Sequence, residues 1–260
     1  MQGIKIKNII RKKGIEPITC LTAYSKSMAE IIDKYCDIIL VGNSVGVVLY
    51  GMKTTREVKI ETMILHGKAV KKSTKRSLVV FDMPYKTYSN KFIAYKNVKK
   101  VMKLTKCDAV KLEGGKKIVN IIKYLTKKGI PVMGHIGLLP QSSKAFKLKG
   151  RNLIQKKQIL QDAMALSNSG VFAIVIECVV ESLAKKITNS VPVPTIGIGA
   201  SKYCDGQILV TEDMIGLSNF RPRFVKKYSN VKKIIEKSVK NYCNDIKRRK
   251  FPSSQNVYRF

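Results

Sequence analysis

Short apolar runs alternate with longer amphipathic stretches along most of the chain. The runs are rich in Ile, Val and Leu and have the length of buried strands. Between them, segments such as 27–36 and 116–129 place apolar residues three and four positions apart, as one face of a helix does. Gly129 follows a lysine-rich last turn and predicts a helix end. The predicted strands are 18–24, 37–42, 78–83, 109–114, 131–137, 172–178, 193–199 and 206–212.

This alternation indicates parallel strands joined by right-handed helical crossovers. Eight such units in one chain favour a closed (β/α)8 barrel, the TIM barrel, over an open doubly wound sheet. A flavodoxin-like sheet is the alternative, but no glycine-rich phosphate-binding motif follows the first strand. No Pro/Gly/Ser-rich linker divides the chain, so we predict one domain of residues 1–260, with a core of about 16–225 and a helical tail of about 226–260. The tail helix is expected from about Phe224 onward.

Composition narrows the class of protein. The chain has 260 residues, of which 45% are hydrophobic, enough to form a sizeable core. No apolar run approaches the roughly 20 residues that cross a bilayer, and the first residues lack the pattern of a signal peptide. A cytoplasmic location is therefore expected. The six cysteines form no C-x-x-C pair, which argues against a zinc knuckle or a thioredoxin-like motif, and a disulfide framework is not expected at this size.

The formal net charge is +33, from 50 Lys and Arg against 17 Asp and Glu. Such a charge is typical of nucleic-acid-binding proteins. However, the lysines are dispersed over the whole length, and aromatic residues make up only 7% of the chain with no Trp for base stacking. Compositional drift of the genome explains the charge better than a nucleic-acid partner does.

Polar side chains stand at or near the carboxyl ends of successive predicted strands. In a barrel these ends meet at one mouth, where the active site lies. Each group alone has an ordinary explanation, such as a helix cap, a core histidine or a solvated lysine. Several carboxylates at the carboxyl ends of the strands need a shared counter-charge. A divalent cation such as Mg²⁺ suits their hard oxygens. With two histidines in the chain, a His-rich zinc site is not expected. The residues are Asn43, Asp82, Lys111, Glu113, His135 and Glu177.

Eight short motifs occur in an order that resembles the ketopantoate hydroxymethyltransferase family. The resemblance runs from about residue 4 to 230, and its motifs are specific as a set. They are TAY (22–24), VGNSVG (41–46), DMPY (82–85), VKLEGG (110–115), GHIGLLPQ (134–141), VIEC (175–178), PTIGIGA (194–200) and CDGQILV (204–210), with RPRFVKKY (221–228) extending the match into the tail.

The resemblance implies a Mg²⁺-dependent (β/α)8 barrel that is commonly a homo-oligomer, a decamer in bacteria. It implies transfer of a hydroxymethyl group from 5,10-methylenetetrahydrofolate to 3-methyl-2-oxobutanoate, giving 2-dehydropantoate for pantothenate synthesis. A 2-oxo acid can chelate a divalent ion through its keto and carboxylate oxygens, which acidifies the adjacent C–H and stabilises the enolate. The elementary chemistry therefore agrees with the activity that the resemblance implies.

The resemblance also assigns roles to residues. Glu177 matches the general base that removes the C3 proton of the keto acid. Metal-site positions match Asn43, Asp82 and Glu113, and substrate-binding positions match Asn43, Ser44, Asp82 and Lys111. His135 and Tyr24 match polar active-site positions without an assigned role.

Three departures from the family pattern bear on activity. Asn43 stands where the family has Asp, which removes a negative charge and predicts weaker Mg²⁺ binding. Ser25 replaces another usual Asp, and the loop after Gln141 is altered and shortened. We expect reduced, not abolished, activity.

Two alternatives stay open at this stage. One is another Mg²⁺-dependent 2-oxo-acid barrel of the lyase or mutase type, although no cysteine-containing catalytic loop is found. The other is a weakly active or inactive homologue that binds polyanions, for which lysines clustered on one face would be the expected sign.

Overall fold

Eight parallel strands form a closed barrel in the computed structural model, which describes residues 3–143, 147–220 and 222–259. Each strand pairs with its neighbours in chain order, and the last strand pairs with the first. The (β/α)8 prediction is confirmed. The strands are β1 (Ile18–Thr22), β2 (Ile38–Val41), β3 (Leu78–Asp82), β4 (Ala109–Glu113), β5 (Val132–Gly137), β6 (Ala173–Glu177), β7 (Thr195–Ile198) and β8 (Gly206–Leu209).

Helices follow most of the strands along the chain. They are α1 (Ile6–Arg11), α2 (Lys26–Ile32), α3 (Val45–Tyr50), α4 (Ile60–Lys72), α5 (Lys91–Thr105), α6 (Val119–Lys127), α7 (Leu153–Ser167), α8 (Glu181–Ser190), α9 (Thr211–Met214) and α10 (Val231–Lys247). Two 3₁₀ turns span Thr55–Glu57 and Gly115–Ile118. As predicted, α6 stops before Gly129, which has a φ of 75°. None of the helices in the described ranges is both long and apolar enough for a membrane span.

Side chains alternate between two layers of core because successive strand residues point to opposite faces. On β3, Val79 and Phe81 belong to the layer between strands and helices, whereas Leu78 and Val80 fill the barrel interior. The next inward position after Val80 is Asp82. The alternation that fills the barrel floor with aliphatic groups therefore directs this carboxylate into the mouth.

The predicted strands are all present and shorter by a few residues. The largest error is at β8, which was expected to reach residue 212 and ends at Leu209. Thr211–Met214 is instead the helix α9, whose first turn carries Glu212 and Asp213, acidic side chains that stabilise a helix N-terminus.

The chain divides into two compact units, residues 1–210 and 211–260. The first contains the whole barrel. The second contains α9 and α10, and α10 begins at Val231, later than the expected start near Phe224. The Asn230 side chain accepts a hydrogen bond from the Lys233 N–H and so caps α10 at its N-terminus.

Candidate active site

A cavity of about 120 Å³ lies at the carboxyl ends of the strands. Its wall combines polar side chains with aliphatic ones such as Val175 and Ile198. Seven of the predicted site residues line it: Asn43, Ser44, Asp82, Lys111, Glu113, His135 and Glu177. Tyr24 is the one predicted residue that does not belong to this wall.

Asp82 and Lys111 form an ion pair at the base of the cavity. The Lys111 Nζ donates to Asp82 Oδ1 at 3.0 Å, and both side chains are 6% exposed. The other oxygen, Asp82 Oδ2, accepts the backbone N–H of Asn43 at 3.2 Å. The two strands hold this geometry because Asp82 and Lys111 are directly paired in the β3–β4 register. Asp82 is thereby fixed in the cavity by one cation and one backbone donor.

Lys111 is the only lysine or arginine with a buried side chain in the described parts of the molecule. Burial by itself lowers the pKa of Lys111, but the carboxylates of Asp82 and Glu113 outweigh it and the pKa is raised. The ammonium group therefore stays charged in the physiological range. It is the permanent positive charge of the cavity.

Glu113 is held by a residue that sequence reasoning left without a role. Gln141 donates its backbone N–H to Glu113 Oε2 at 3.0 Å and its Nε2–H to the Met83 carbonyl at 3.0 Å. The Tyr88 hydroxyl donates to Gln141 Oε1 at 2.8 Å. Gln141, which lies on the loop after β5, thus joins the loop after β3 to the end of β4. The only sequence signal for it was its place at the end of the GHIGLLPQ motif.

His135 lies between two carboxylates. Its Nε2 is 3.2 Å from Glu177 Oε2, and its Nδ1 is 3.8 Å from Glu113 Oε1. Burial, with the Lys111 charge nearby, lowers the pKa of His135 to about 4. The imidazole is therefore neutral at physiological pH. It separates the two carboxylates without adding charge.

Glu177 ends β6 and faces the cavity with a side chain that is 13% exposed. Burial raises its pKa to about 7, and the Lys111 charge opposes this shift only in part. Burial likewise raises the pKa of Glu113. Gly137 allows β5 to approach this strand end closely: its φ is 92°, and a Cβ there would collide with the Glu177 carbonyl. Glu177 is thus a carboxylate whose proton affinity is matched to neutral pH.

Ser44 and Tyr24 share a hydrogen bond of 2.7 Å between their hydroxyl oxygens. Ser44 reaches the cavity, and Tyr24 stands behind it, 2% exposed. The carbonyl of Tyr24 accepts a hydrogen bond from His66 Nδ1 at 2.6 Å. Tyr24 therefore orients a cavity residue and does not form the cavity surface.

Three residues that line the cavity have buried polar side-chain atoms without a hydrogen-bond partner among the described residues. They are Asn43 through Oδ1, His135 through both ring nitrogens and Thr55 through Oγ1. An unpartnered buried polar atom costs about 1–3 kcal/mol. Such atoms at a cavity surface are suited to bind a ligand. Thr55 was not predicted from the sequence.

The oxygens of Asn43, Asp82 and Glu113 meet the requirements of a hard divalent cation. Asn43 Oδ1 has no partner, while its Nδ2 donates to the Met83 carbonyl at 3.1 Å. Within the described ranges, no three His, Cys, Asp or Glu side chains gather closely enough to hold an ion by themselves. A site made of one amide and two carboxylates with several waters remains compatible with Mg²⁺, which takes few protein ligands. The residues present fit such an ion.

The structure describes one of two further departures from the family pattern, Ser25, and only part of the other, the loop after Gln141. Ser25 caps α2, since its Oγ accepts the Met28 N–H at 3.3 Å. The altered loop after Gln141 includes residues 144–146, which lie outside the described residues, as does Arg221 of the RPRFVKKY motif. Each of the six cysteines is free, five of them buried, as expected without a disulfide framework.

Comparisons with known proteins identify the family. The family model described as ketopantoate hydroxymethyltransferase matches residues 3–254. The chain belongs to the ketopantoate hydroxymethyltransferase family. It is 53% identical over 98% of its length to the 3-methyl-2-oxobutanoate hydroxymethyltransferase of Pelagibacter ubique, covering 99% of that protein. It is 47% identical over 95% of its length to the enzyme of the same name from Rhizobium etli, covering 92% of that protein. The chain is accordingly an enzyme, a hydroxymethyltransferase.

Among solved structures, the fold is similar to a phosphonopyruvate hydrolase crystallised with oxalate and Mg²⁺. The TM-score is 0.63 with 12% sequence identity, over 98% of this chain and 93% of that one. At this identity the likeness extends to the fold alone. The lyase or mutase alternative is therefore not favoured, because the sequence relatives are hydroxymethyltransferases.

Proposed function

We propose that this enzyme transfers a hydroxymethyl group from 5,10-methylenetetrahydrofolate to C3 of 3-methyl-2-oxobutanoate. One water is consumed, and 2-dehydropantoate and tetrahydrofolate are released, a step of pantothenate synthesis that we place in the cytoplasm. The observation that carries the proposal is Glu177, a cavity carboxylate whose pKa of about 7 suits it to remove a carbon-bound proton.

The substrate is a small anion, and the cavity offers matching groups. The Lys111 ammonium is the counter-charge for the keto acid carboxylate, and the Ser44 hydroxyl is available beside it, oriented by Tyr24. The small volume of about 120 Å³ agrees with an acceptor of this size and limits the water around it. These groups hold the substrate with its C3 proton toward Glu177.

Proton removal is the first chemical step. Ionised Glu177 takes the C3 proton, and the electron pair passes into the keto group to give the enolate. Asp82 and Glu113 raise the pKa of Lys111 and keep it protonated. Its positive charge can therefore offset part of the negative charge that develops on the enolate. Neutral His135 lies 3.2 Å from Glu177 through its Nε2 and does not lower the basicity of the carboxylate as a cation would. Water hydrolyses both C–N bonds of the donor's methylene carbon, which releases tetrahydrofolate and leaves the one-carbon unit as formaldehyde. The enolate carbon adds to this carbonyl carbon, and the alkoxide that forms takes up the proton from Glu177.

A divalent cation fits the site formed by Asn43, Asp82 and Glu113. When bound there, Mg²⁺ would act as a Lewis acid on the keto oxygen of the substrate. The phosphonopyruvate hydrolase of similar fold is described with Mg²⁺ and oxalate, a dianion with adjacent oxygens as in a 2-oxo acid. A decameric homo-oligomer stays a prediction of the family resemblance.

Label transfer tests the proposed reaction. The enzyme is incubated with Mg²⁺, 3-methyl-2-oxobutanoate and tetrahydrofolate carrying a ¹³C-methylene group. We expect the label in the hydroxymethyl carbon of 2-dehydropantoate, measured by NMR. Absence of labelled product, with full recovery of both substrates, would exclude this donor and acceptor pair.

A further inference from the structure

The cavity is too small for both substrates. Its volume of about 120 Å³ suits the keto acid, whereas drug-sized ligands such as a reduced folate occupy sites of roughly 300–1,000 Å³. The donor therefore needs a second space that opens onto the cavity. This reasoning rests on the folate donor of the proposed function.

A groove of about 640 Å³ lies next to the cavity. It is formed by the segment 54–61, which leads into α4, and by residues 85–87 after β3. The 3₁₀ turn that begins at Thr55 separates the two spaces: Thr55 lines the cavity, whereas Thr54 and Arg56 line the groove. The two spaces are therefore lined by neighbouring residues of the same turn.

The charges of the groove favour a polycarboxylate. Arg56, Lys59 and Lys86 line it, and none of them has an ion-pair partner among the described residues. Its two carboxylates are already engaged in other contacts. Glu57 accepts the Thr54 N–H at 2.8 Å, and Glu61 pairs with Lys100 at 3.1 Å. Glu57 keeps its negative charge, but the three cations outnumber it, and the groove thus has a net positive charge beside the active site.

Two further groups suit the aromatic part of such a donor. Tyr85 lies in the groove, 38% exposed, with the Lys86 Nζ 5.5 Å from its ring centroid. The remaining exposed surface of the ring can contact a flat heterocycle or aryl ring. The Thr55 Oγ1 is buried without a partner at the boundary with the cavity. A hydroxyl there can hydrogen-bond a nitrogen of a donor that reaches over the turn.

We infer that this groove binds the folate donor. The ring system lies across Tyr85 and the Thr55 turn, with its one-carbon unit directed into the cavity. The glutamate tail lies along Arg56, Lys59 and Lys86. The groove is thus a binding site for a pteridine with a polycarboxylate tail, separate from the keto acid site.

The charge on the groove is tested with a triple variant, Arg56→Gln, Lys59→Gln and Lys86→Asn. Lys86 has a φ of 64°, which is unfavourable for most residues. Asn is chosen at this position because it tolerates positive φ better than Gln does. The control removes three exposed lysines of other helices that have no ion-pair partner among the described residues, Lys123→Gln, Lys157→Gln and Lys186→Gln. Both variants are assayed with mono- and triglutamylated 5,10-methylenetetrahydrofolate at two salt concentrations.

We expect the groove variant to raise the KM for the triglutamate donor about tenfold, since each exposed ion pair contributes a factor of roughly 1.5 to 5. The preference for the triglutamate over the monoglutamate should disappear, together with its salt dependence. The KM for the keto acid should stay within twofold, and the control variant should behave as the wild type. An unchanged donor KM in the groove variant, or an equal rise in the control, would overturn the inference.

The Thr55 hydroxyl is tested separately by Thr55→Val, with Thr55→Ser as the conservative variant. We expect Val to raise the KM for both donors at least threefold and Ser to restore it. Equal kinetics for the two variants would remove Thr55 from donor binding.

The failure of this inference is distinguishable from failure of the proposed function. Exchange of the C3 proton for deuterium in D2O needs no donor, so the groove variant should retain it. If the wild type transfers no ¹³C label, the proposed donor is wrong. If it transfers the label and the groove variant keeps the wild-type donor KM, only the groove assignment is wrong.

Discussion

Asn43→Asp is expected to have opposite effects on the metal-free and the Mg²⁺-bound protein. The Asn43 Nδ2 donates to the Met83 carbonyl at 3.1 Å, so the substitution places a carboxylate oxygen against a carbonyl oxygen. It also adds a buried negative charge beside Asp82. The Met83 carbonyl keeps a second donor, Gln141 Nε2, at 3.0 Å. The lost hydrogen bond and the added desolvation should lower the free energy of unfolding without Mg²⁺ by about 2–3 kcal/mol.

With Mg²⁺ the added charge is favourable. At an effective dielectric constant near 20, two unit charges about 4 Å apart attract by about 4 kcal/mol. After the cost of about 2–3 kcal/mol is subtracted, a gain of about 1–2 kcal/mol remains, or about 5- to 30-fold in Kd. The affinity of the Asp variant for Mg²⁺ should therefore exceed that of the natural chain by about one order of magnitude.

Calorimetric titration with Mg²⁺ and urea unfolding with EDTA measure the two effects. Asn97→Asp is the matched control, since the Asn97 Nδ2 donates to the Thr87 carbonyl at 2.7 Å, away from the cavity. It should lose stability without gaining Mg²⁺ affinity. Equal Mg²⁺ affinity for Asn43→Asp and the natural chain, or an equal gain in the control, would refute a metal site at Asn43.

Four further predictions concern the charged cluster and Gln141, which binds Glu113. The rate of C3 exchange should rise with pH through about 7, where Glu177 ionises, and a flat profile between pH 6 and 8 would contradict its role. Because the raised pKa makes the folded state bind this proton more tightly, stability contributed by protonated Glu177 is lost as pH rises from 4.5 to about 7. At pH 8 the free energy of unfolding of Glu177→Gln, measured with urea, should then exceed that of the wild type by about 2–3 kcal/mol. A lower free energy of unfolding would contradict the raised pKa of Glu177. Lys111→Met leaves Asp82 without its cation, and urea unfolding should show a loss of about 3–5 kcal/mol, with an unchanged midpoint counting against the buried pair. Gln141→Leu removes two side-chain hydrogen bonds, which should cost about 2–3 kcal/mol and raise the KM for the keto acid; wild-type stability would show that Gln141 does not organise the site.

The sequence was sufficient for the barrel because its strands are buried on both faces. Residues 78–81 of β3, for example, are apolar at four consecutive positions, and this pattern is independent of distant contacts. Strand ends were less predictable. The helix Thr211–Met214 begins one residue after the end of β8. The only sequence signal for a helix there is its acidic first turn, which is weak beside the apolar residues that precede it.

The strand-end residues of the site could be predicted for the same reason. Asp82, Lys111 and Glu177 continue the inward alternation of their strands, so a polar residue there must face the mouth. Gln141 and Thr55 lie on loops, and their places depend on contacts between residues far apart in sequence. The neutral state of His135 depends on burial, which one sequence does not specify.

Deuterium exchange at C3 tests the central claim most directly, that Glu177 removes a proton from the keto acid in this cavity. The protein is incubated in D2O with Mg²⁺ and 3-methyl-2-oxobutanoate, without folate, and the C3 proton signal is followed by NMR. We expect the signal to disappear with the wild type and with Glu181→Gln, a control on the exposed first turn of α8. With Glu177→Gln it should persist; exchange at the wild-type rate in that variant would contradict the account.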